Sequence, residues 1–165
     1  DDEPILWWSP SERMVLFFED LKISKSMRNI INQKKFKVTF NTAFREVILN
    51  CKKIARKDQP GTWITDDMVE AYCNLHKLGI AKSVEVWENE ELVGGLYGID
   101  LGHVFCGESM FSKVSNASKM AFIALAKQLE MANYRLLDCQ VYNDHLASLG
   151  CVEIDRDDFL MVLKS

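Results

Sequence analysis

The 165-residue sequence has no apolar run of the roughly 20 residues needed to span a bilayer, and no segment with the form of a secretory signal. A membrane protein is therefore not expected. It has no Cys-x-x-Cys pair, and its five cysteines are an odd number, which points to reduced thiols and a cytoplasmic address rather than a disulfide framework. His76, His103 and His145 are scattered without metal-ligand spacing, so no metal site is expected. There is no internal repeat and no low-complexity segment. An excess of positive charge is also missing: the net charge is −4, which by itself argues against nucleic acid. What remains is ordinary globular composition, 48% hydrophobic and 27% charged, enough to build one domain with a real core. The chain begins at Asp1 rather than Met, so a preceding N-terminal part is expected.

The charge is unevenly distributed. Lys22, Lys25, Arg28, Lys34, Lys35 and Lys37 follow one another with no acid between them, and Lys52, Lys53, Arg56 and Lys57 come after. The acids gather at the N-terminus, at 85–91 and at 153–158. Two readings of the basic run stay open at this point: a phosphate-binding face on an acidic protein, or a solvated helix face.

The most informative stretch is 102–121, GHVFCGESMFSKVSNASKMA. Val104 and Phe105 are strand formers, and Cys106-Gly107 is expected to break the strand. A polar turn follows over 112–118, and Met120, Ala121, Ile123, Ala124 and Leu125 have helical spacing. Glu108 falls where the strand ends, among Phe, Met and Cys. A carboxylate there is costly without a partner. It reads either as a site residue or as a rim glutamate in water.

The rest of the chain punctuates clearly. The pair Trp7-Trp8 before Ser9-Pro10 predicts an extended segment. Met14 to Phe18 reads as a strand, Ser24 as the cap of a helix to about Gln33, and Phe36 to Phe40 as a half-buried strand. Asn41 or Thr42 is expected to cap a helix to about Lys57, stopped by Asp58-Gln59-Pro60-Gly61. Thr65 or Asp66 caps the next helix, whose apolar stripe is Met68, Val69, Tyr72, Leu75 and His76 and which Gly79 ends. Ser83 to Trp87 and Leu92 to Ile99 form a hairpin across Asn89-Glu90. Gly94-Gly95 suggests a bulge or a close backbone approach. A long helix to about Asn133, a strand from Arg135 to Val141, a short helix from Asp144, a strand from Val152 to Ile154 and a helix from Asp155 to Leu163 complete the order. A hairpin feeding a β-α-β unit predicts an α/β (α+β) fold with a mixed sheet flanked by helices. Asp138 and Gln140, two apart on one strand, are expected to share a face and to converge with Glu108.

At these residues the chain resembles the leucyl/phenylalanyl-tRNA–protein transferase family. The resemblance is carried by ILWWSP (5–10), ISKSM (23–27), GTWIT (61–65), VEAY (69–72), SVEVW (83–87), LVGGLYG (92–98), FCGESMFS (105–112), NASK (116–119), LDCQV (137–141) and NDHLASLG (143–150). It implies a GNAT-like acyltransferase fold over residues 1–165, with 1–13 the remnant of a small N-terminal domain that is largely missing here. It implies transfer of Leu or Phe, and Met less well, from aminoacyl-tRNA to the α-amine of proteins with N-terminal Arg or Lys, tagging them for degradation in the cytoplasm. Residue by residue, Asp138 and Gln140 match the family's catalytic pair and Glu108 its substrate-positioning glutamate. Leu96, Phe105, Met110, Leu125, Leu129 and Leu137 match the apolar pocket for the amino-acid side chain; Gly107 and Asn143 are also expected to bind substrate, Asn143 reading either as the cap of the helix it opens or as a supporting ligand. Trp63 and Tyr72 match aromatics near the terminal adenosine. Lys25, Arg28, Lys34 and Lys35 fall in the region that contacts tRNA. The resemblance implies no cofactor, and a monomer whose partners are Leu-tRNA or Phe-tRNA and an acceptor protein.

The donor in such a reaction is an activated ester, and an α-amine with a pKa of about 7.7–8.0 offers a usable neutral fraction. Positioning rather than a strong base suffices. On this reading Asp138 orients Gln140 and draws proton density from the amine through it, while Glu108 holds the donor's α-ammonium. Cys106 and Cys139 read as small core residues. The alternatives are an acetyl-CoA-dependent GNAT N-acyltransferase, disfavoured because the 112–118 turn has no glycine to cradle a pyrophosphate, and a non-catalytic tRNA- or peptide-binding member.

Overall fold

The computed structural model describes residues 9–54 and 63–165. Trp7-Trp8, Arg56, Lys57 and the expected 58–61 helix stop lie outside them. In chain order the described residues form β1 (Glu12–Leu16), a 3-10 turn (Phe18–Asp20), α1 (Lys25–Asn32), β2 (Lys37–Phe40), α2 (Phe44–Lys53) and α3 (Asp66–Lys77). They continue with β3 (Ala81–Glu88), β4 (Glu91–Asp100), β5 (Val104–Ser112), α4 (Ala117–Met131), β6 (Leu136–Gln140), α5 (Asp144–Ala147), β7 (Val152–Asp155) and α6 (Arg156–Lys164). One seven-stranded sheet runs β2-β3-β4-β5-β6-β1-β7. β5 and β6 are its parallel pair, joined by the α4 crossover that parallel neighbours require. The expected mixed sheet flanked by helices is what forms.

Local chemistry sets most boundaries. Ser24 Oγ accepts the Met27 N–H at the start of α1, and Thr65 Oγ1 accepts the Met68 N–H at the start of α3. Gly79, at φ +78°, lets the chain leave α3. Asn89 and Glu90 both have positive φ, the backbone of a two-residue hairpin turn between β3 and β4. Ser112 Oγ accepts the Ser118 N–H, so the last residue of β5 caps the first turn of α4.

The sheet is covered on both faces. α4 buries Phe122, Leu125 and Leu129 against Leu96, Phe105 and Leu137. On the opposite face α2 and α3 bury Val47, Ile48, Val69 and Cys73 against Tyr97 and Phe111. Each such Leu or Phe contributes about 1.5–3 kcal/mol on burial. The paired glycines make this fit: a Cβ at Gly94 would lie 2.6 Å from the Ala117 Cβ, and one at Gly95 would lie 2.6 Å from the Val84 carbonyl oxygen. Gly94 lets α4 approach on one side, while Gly95 leaves room for the β3 backbone, with Val47 of α2 3.3 Å from the same Cβ position.

Several boundaries differ from expectation. β1 ends at Leu16, and Phe18 turns into the core from the 3-10 turn. Neither Asn41 nor Thr42 caps α2; the N-cap is Ala43, and α2 ends at Lys53. Asn41 Oδ1 accepts the Ser83 N–H, and Thr42 donates to Glu85. Glu85, one of the acids gathered at 85–91, is fully buried and accepts from Ser83, Thr39 and Thr42 hydroxyls. The Ser83–Val86 stretch is buried throughout because both its faces meet helices. Cys106-Gly107 does not end β5, which continues to Ser112.

Candidate active site

The continuation of β5 depends on an irregularity. Gly98 pairs with Gly107 and Tyr97 with Ser109, so Glu108 is an extra residue with no partner on β4. This β-bulge reverses which side chains face which layer: Phe105 packs toward α4 before it, and Met110 packs toward α4 after it. Glu108 is thus placed mid-strand rather than at a strand end. A second bulge lies on β6: Met14 pairs with Gln140 and Val15 with Asp138, leaving Cys139 extra. Gln140 follows in the left-handed region at φ +68°.

The two bulged strands border a cavity of about 680 Å³. Its polar edge carries Glu108, Gln140 and Asn143; Leu96, Met110, Leu125 and Leu137 line its apolar part, and Trp63 and Gly107 also reach it. Phe105 and Leu129 are core residues behind this lining rather than wall. Asn143 caps α5 by accepting the Leu146 N–H, so its side chain is already engaged.

Gln140 reaches across the β5–β6 gap, where its Nε2 donates to the Gly107 carbonyl at 2.8 Å. Because that partner is an acceptor, the amide orientation is fixed and Oε1 is the end left for a further donor. Burial pushes the Glu108 carboxyl up from its ordinary value; hydrogen bonds from Tyr72 and Gln140 oppose this, and the Asp138 charge adds to it. Burial, then Glu108, raises the Tyr72 phenol. Tyr72 therefore stays a neutral donor to the carboxylate.

Asp138 does not join this edge. The expected two-residue alternation is broken by the Cys139 bulge, and the Asp138 carboxylate is fully buried behind the site. It pairs with Arg13 at 2.5 Å and accepts the backbone N–H of Gln140 at 3.0 Å. Its link to Gln140 thus runs through the backbone, not through the carboxamide. Cys106 is pushed up to about 12 by burial and by Asp138, and Cys139 is raised by its hydrogen bond with Cys151, then by burial. Both thiols stay protonated and fit a packing role. His145 lines the cavity with its pKa lowered by burial and then by Lys119, and its Nε2 is buried with no hydrogen-bond partner. Among the described residues no group of three His, Cys, Asp or Glu side chains could hold a metal ion.

The basic candidates lie apart from the cavity. Lys25 and Arg28 are exposed on α1, with Arg28 Nε donating to the Ile23 carbonyl. Lys34 and Lys35 line a separate cleft of about 580 Å³ with Lys37 and Trp87.

Comparison with known proteins decides what this geometry belongs to. A family model described as leucyl/phenylalanyl-tRNA protein transferase matches residues 15–164. The chain belongs to that family. Proteins of the same name from Flavobacterium johnsoniae and Flavobacterium psychrophilum are 72% and 67% identical over 100% and 99% of this chain, which spans 78% of each. One from Pseudoalteromonas atlantica is 53% identical over 99% of this chain and 69% of its own length. Family membership makes the chain an aminoacyl-tRNA–protein transferase, an enzyme whose substrates are an aminoacyl-tRNA and a protein. Among solved structures, a conserved protein of unknown function from Bacteroides thetaiotaomicron superposes with a TM-score of 0.62 at 15% identity, over 85% of this chain and 55% of that one. The L-PGS from Bacillus licheniformis gives 0.53 at 12%, over 82% and 47%. At such identities the likeness is one of fold.

The family reading and the fold together leave one residue that sequence reasoning passed over. Arg13 contacts Asp138 directly, yet it sits in an ordinary-looking strand, Glu12–Leu16. The available signal was a cation directly before the apolar run Met14 to Phe18, where a charge drawn into the core needs a partner.

Proposed function

We propose that the chain transfers Leu or Phe, and Met less well, from aminoacyl-tRNA to the α-amine of proteins beginning with Arg or Lys, marking them for degradation in the cytoplasm. The observation that supports this best is the facing of Glu108 and Gln140 across the β5–β6 gap at the mouth of an apolar-lined cavity. Leu96, Met110, Leu125 and Leu137 offer an apolar wall to a Leu or Phe side chain. Glu108 offers an anion to the donor's α-ammonium. Gln140 Oε1 then accepts a hydrogen from the incoming acceptor amine and holds its lone pair toward the ester carbonyl.

The amine nitrogen forms the new amide bond, the ester C–O bond to the terminal ribose breaks, and the proton lost by the amine leaves with the ribose oxygen. No strong base is required, since the ester is activated and a neutral fraction of the amine exists at neutral pH. Asp138 acts in this scheme from behind, through the Gln140 backbone. Lys25, Arg28, Lys34 and Lys35 supply phosphate contacts for the tRNA, which position it without reading its sequence. The protein works as a monomer.

The test is transfer of labelled leucine from charged tRNA to a peptide beginning with Arg, with a Gly-initiated peptide as control. Transfer to the Arg peptide alone is the expected result. Equal transfer to both peptides would remove the acceptor specificity, and transfer to neither would remove the proposal.

A further inference from the structure

The Gln140 backbone is held in a conformation that an L-residue does not choose for itself. At φ +68° its Cβ crowds the following carbonyl. Two hydrogen bonds keep it there: Asp138 Oδ1 accepts its N–H, and its own Nε2 reaches the Gly107 carbonyl. The first depends on a carboxylate that has no exposure to water and must therefore be fixed by protein groups.

Arg13 does this. Its Nη2 lies 2.5 Å from Asp138 Oδ2 and its Nε 3.3 Å from Oδ1, two contacts of one planar fork with one carboxylate. The guanidinium carbon lies 4.9 Å over the Phe159 ring of α6. A planar cation between a ring and a carboxylate has little rotational freedom. β1 delivers Arg13 to this spot as the antiparallel neighbour of β6, in the register where Val15 faces Asp138 and Met14 faces Gln140. The Cys139 bulge falls in the same register shift, so clamp, bulge and left-handed turn occupy one segment of the ladder.

We infer that Arg13 is a positioning residue for the transfer reaction: it clamps Asp138, and the clamped carboxylate holds the Gln140 backbone so that its carboxamide stays aimed at Gly107 and Glu108. This rests on the transfer reading above. A guanidinium is required because one fork must meet both carboxylate oxygens and also stack on Phe159; an ammonium is a point charge with no such plane.

The experiment compares the protein with Arg13→Lys and Arg13→Gln by two readouts. The first is the Gln140 backbone amide in ¹H–¹⁵N spectra, with its hydrogen-exchange rate. The second is the split between kcat and KM for transfer to an Arg-initiated peptide. In the unaltered protein the Gln140 amide is expected downfield and protected. In Arg13→Lys and Arg13→Gln that shift and protection are expected to weaken, with kcat lowered by about 10²-fold, as for a misplaced reacting group, and the peptide KM changed less than twofold. In Arg13→Gly, added guanidinium ion is expected to restore kcat. An unchanged Gln140 amide together with an unchanged kcat in Arg13→Lys would overturn the inference. So would a kcat loss that guanidinium does not restore and that follows melting temperature alone. If Arg13→Gln does not fold, Arg13→Lys, which keeps the charge and loses the fork, decides alone. If the unaltered protein transfers nothing, the function proposal fails, while the Gln140 amide still reports whether Arg13 holds the turn.

Discussion

Glu108 combines two properties that pull against each other. Burial raises its pKa while Tyr72 and Gln140 stabilise its anion. A group whose folded pKa lies above its unfolded value opposes folding once it ionises. That cost is absent below the unfolded pKa of about 4.3 and is complete above the folded pKa. Glu108→Gln is therefore expected to raise Tm near pH 8, with the gain shrinking as pH falls through the folded pKa; thermal melts across pH check this. Under the proposed function the same variant loses the anion offered to the donor's ammonium. Charge-assisted hydrogen bonds contribute about 1.5–3 kcal/mol, so kcat/KM for transfer is expected to fall by roughly 10- to 100-fold. In the unaltered protein the acid limb of the kcat/KM profile is expected above the ordinary glutamate range, since donor binding as proposed uses the carboxylate. A Glu108→Gln enzyme of normal activity and unchanged Tm would contradict both statements. Glu85 is a second buried carboxylate, one that faces three hydroxyls and the Thr42 N–H and lies away from the cavity. Glu85→Ala is expected to destabilise the fold by about 1–3 kcal/mol through the donors it leaves unpaired, measured by denaturant titration.

Elements were legible where the deciding chemistry is local. Ser24, Thr65 and Asn143 cap the helices they announce, and Asn89-Glu90 makes the turn it announces, because each such signal acts within a few residues. The β5 bulge was not legible. Cys106-Gly107 reads as a strand end, yet β4 supplies hydrogen bonds on both sides of Glu108 and carries the strand onward. Thr42 looks like a helix cap until its partner, 43 residues away, is known. Gly94 was read as a bulge or a close approach, and the close approach is to α4. Its Cβ would stand 2.6 Å from Ala117 Cβ and 3.0 Å from the Ala117 carbonyl carbon. Gly94→Ala is thus expected to cost about 1–3 kcal/mol by overpacking. At about 2–4 °C per kcal/mol for a chain of this size, the loss is visible in a thermal melt. Because Ala117 opens α4, the variant also pushes Leu125 and its neighbours on the cavity wall, and an effect on donor KM is expected beside the loss of Tm.

At the scale of the whole molecule, the acidic total and the basic run 22–37 describe different places. The sequence left open whether that run was a solvated face, since net charge carries no geometry. In the fold, Lys25 and Arg28 on α1 and Lys34 and Lys35 before β2 stay exposed, while the cavity opens between β5 and β6. β2 is three strand spacings from β5, about 14 Å. A ligand that engages both regions must be extended and anionic over that span, which suits a nucleic acid whose end enters the cavity. The four cations are not equal. Lys35 is already shared with Glu88 at 3.6 Å and lies 5.2 Å from the Phe36 ring centroid, so it has less charge to offer a phosphate than Lys34. With one phosphate contact from each of these four side chains, the slope of log K against log salt for tRNA is expected to be about −3, from 0.7–0.9 per contact. Lys34→Ala is expected to make that slope less steep by nearly one contact, and Lys35→Ala by clearly less. Titrations of charged tRNA at several salt concentrations read both. Equal changes for the two lysines would mean that the Glu88 pairing does not persist in solution, and no change for either would move the tRNA path off this edge of the sheet.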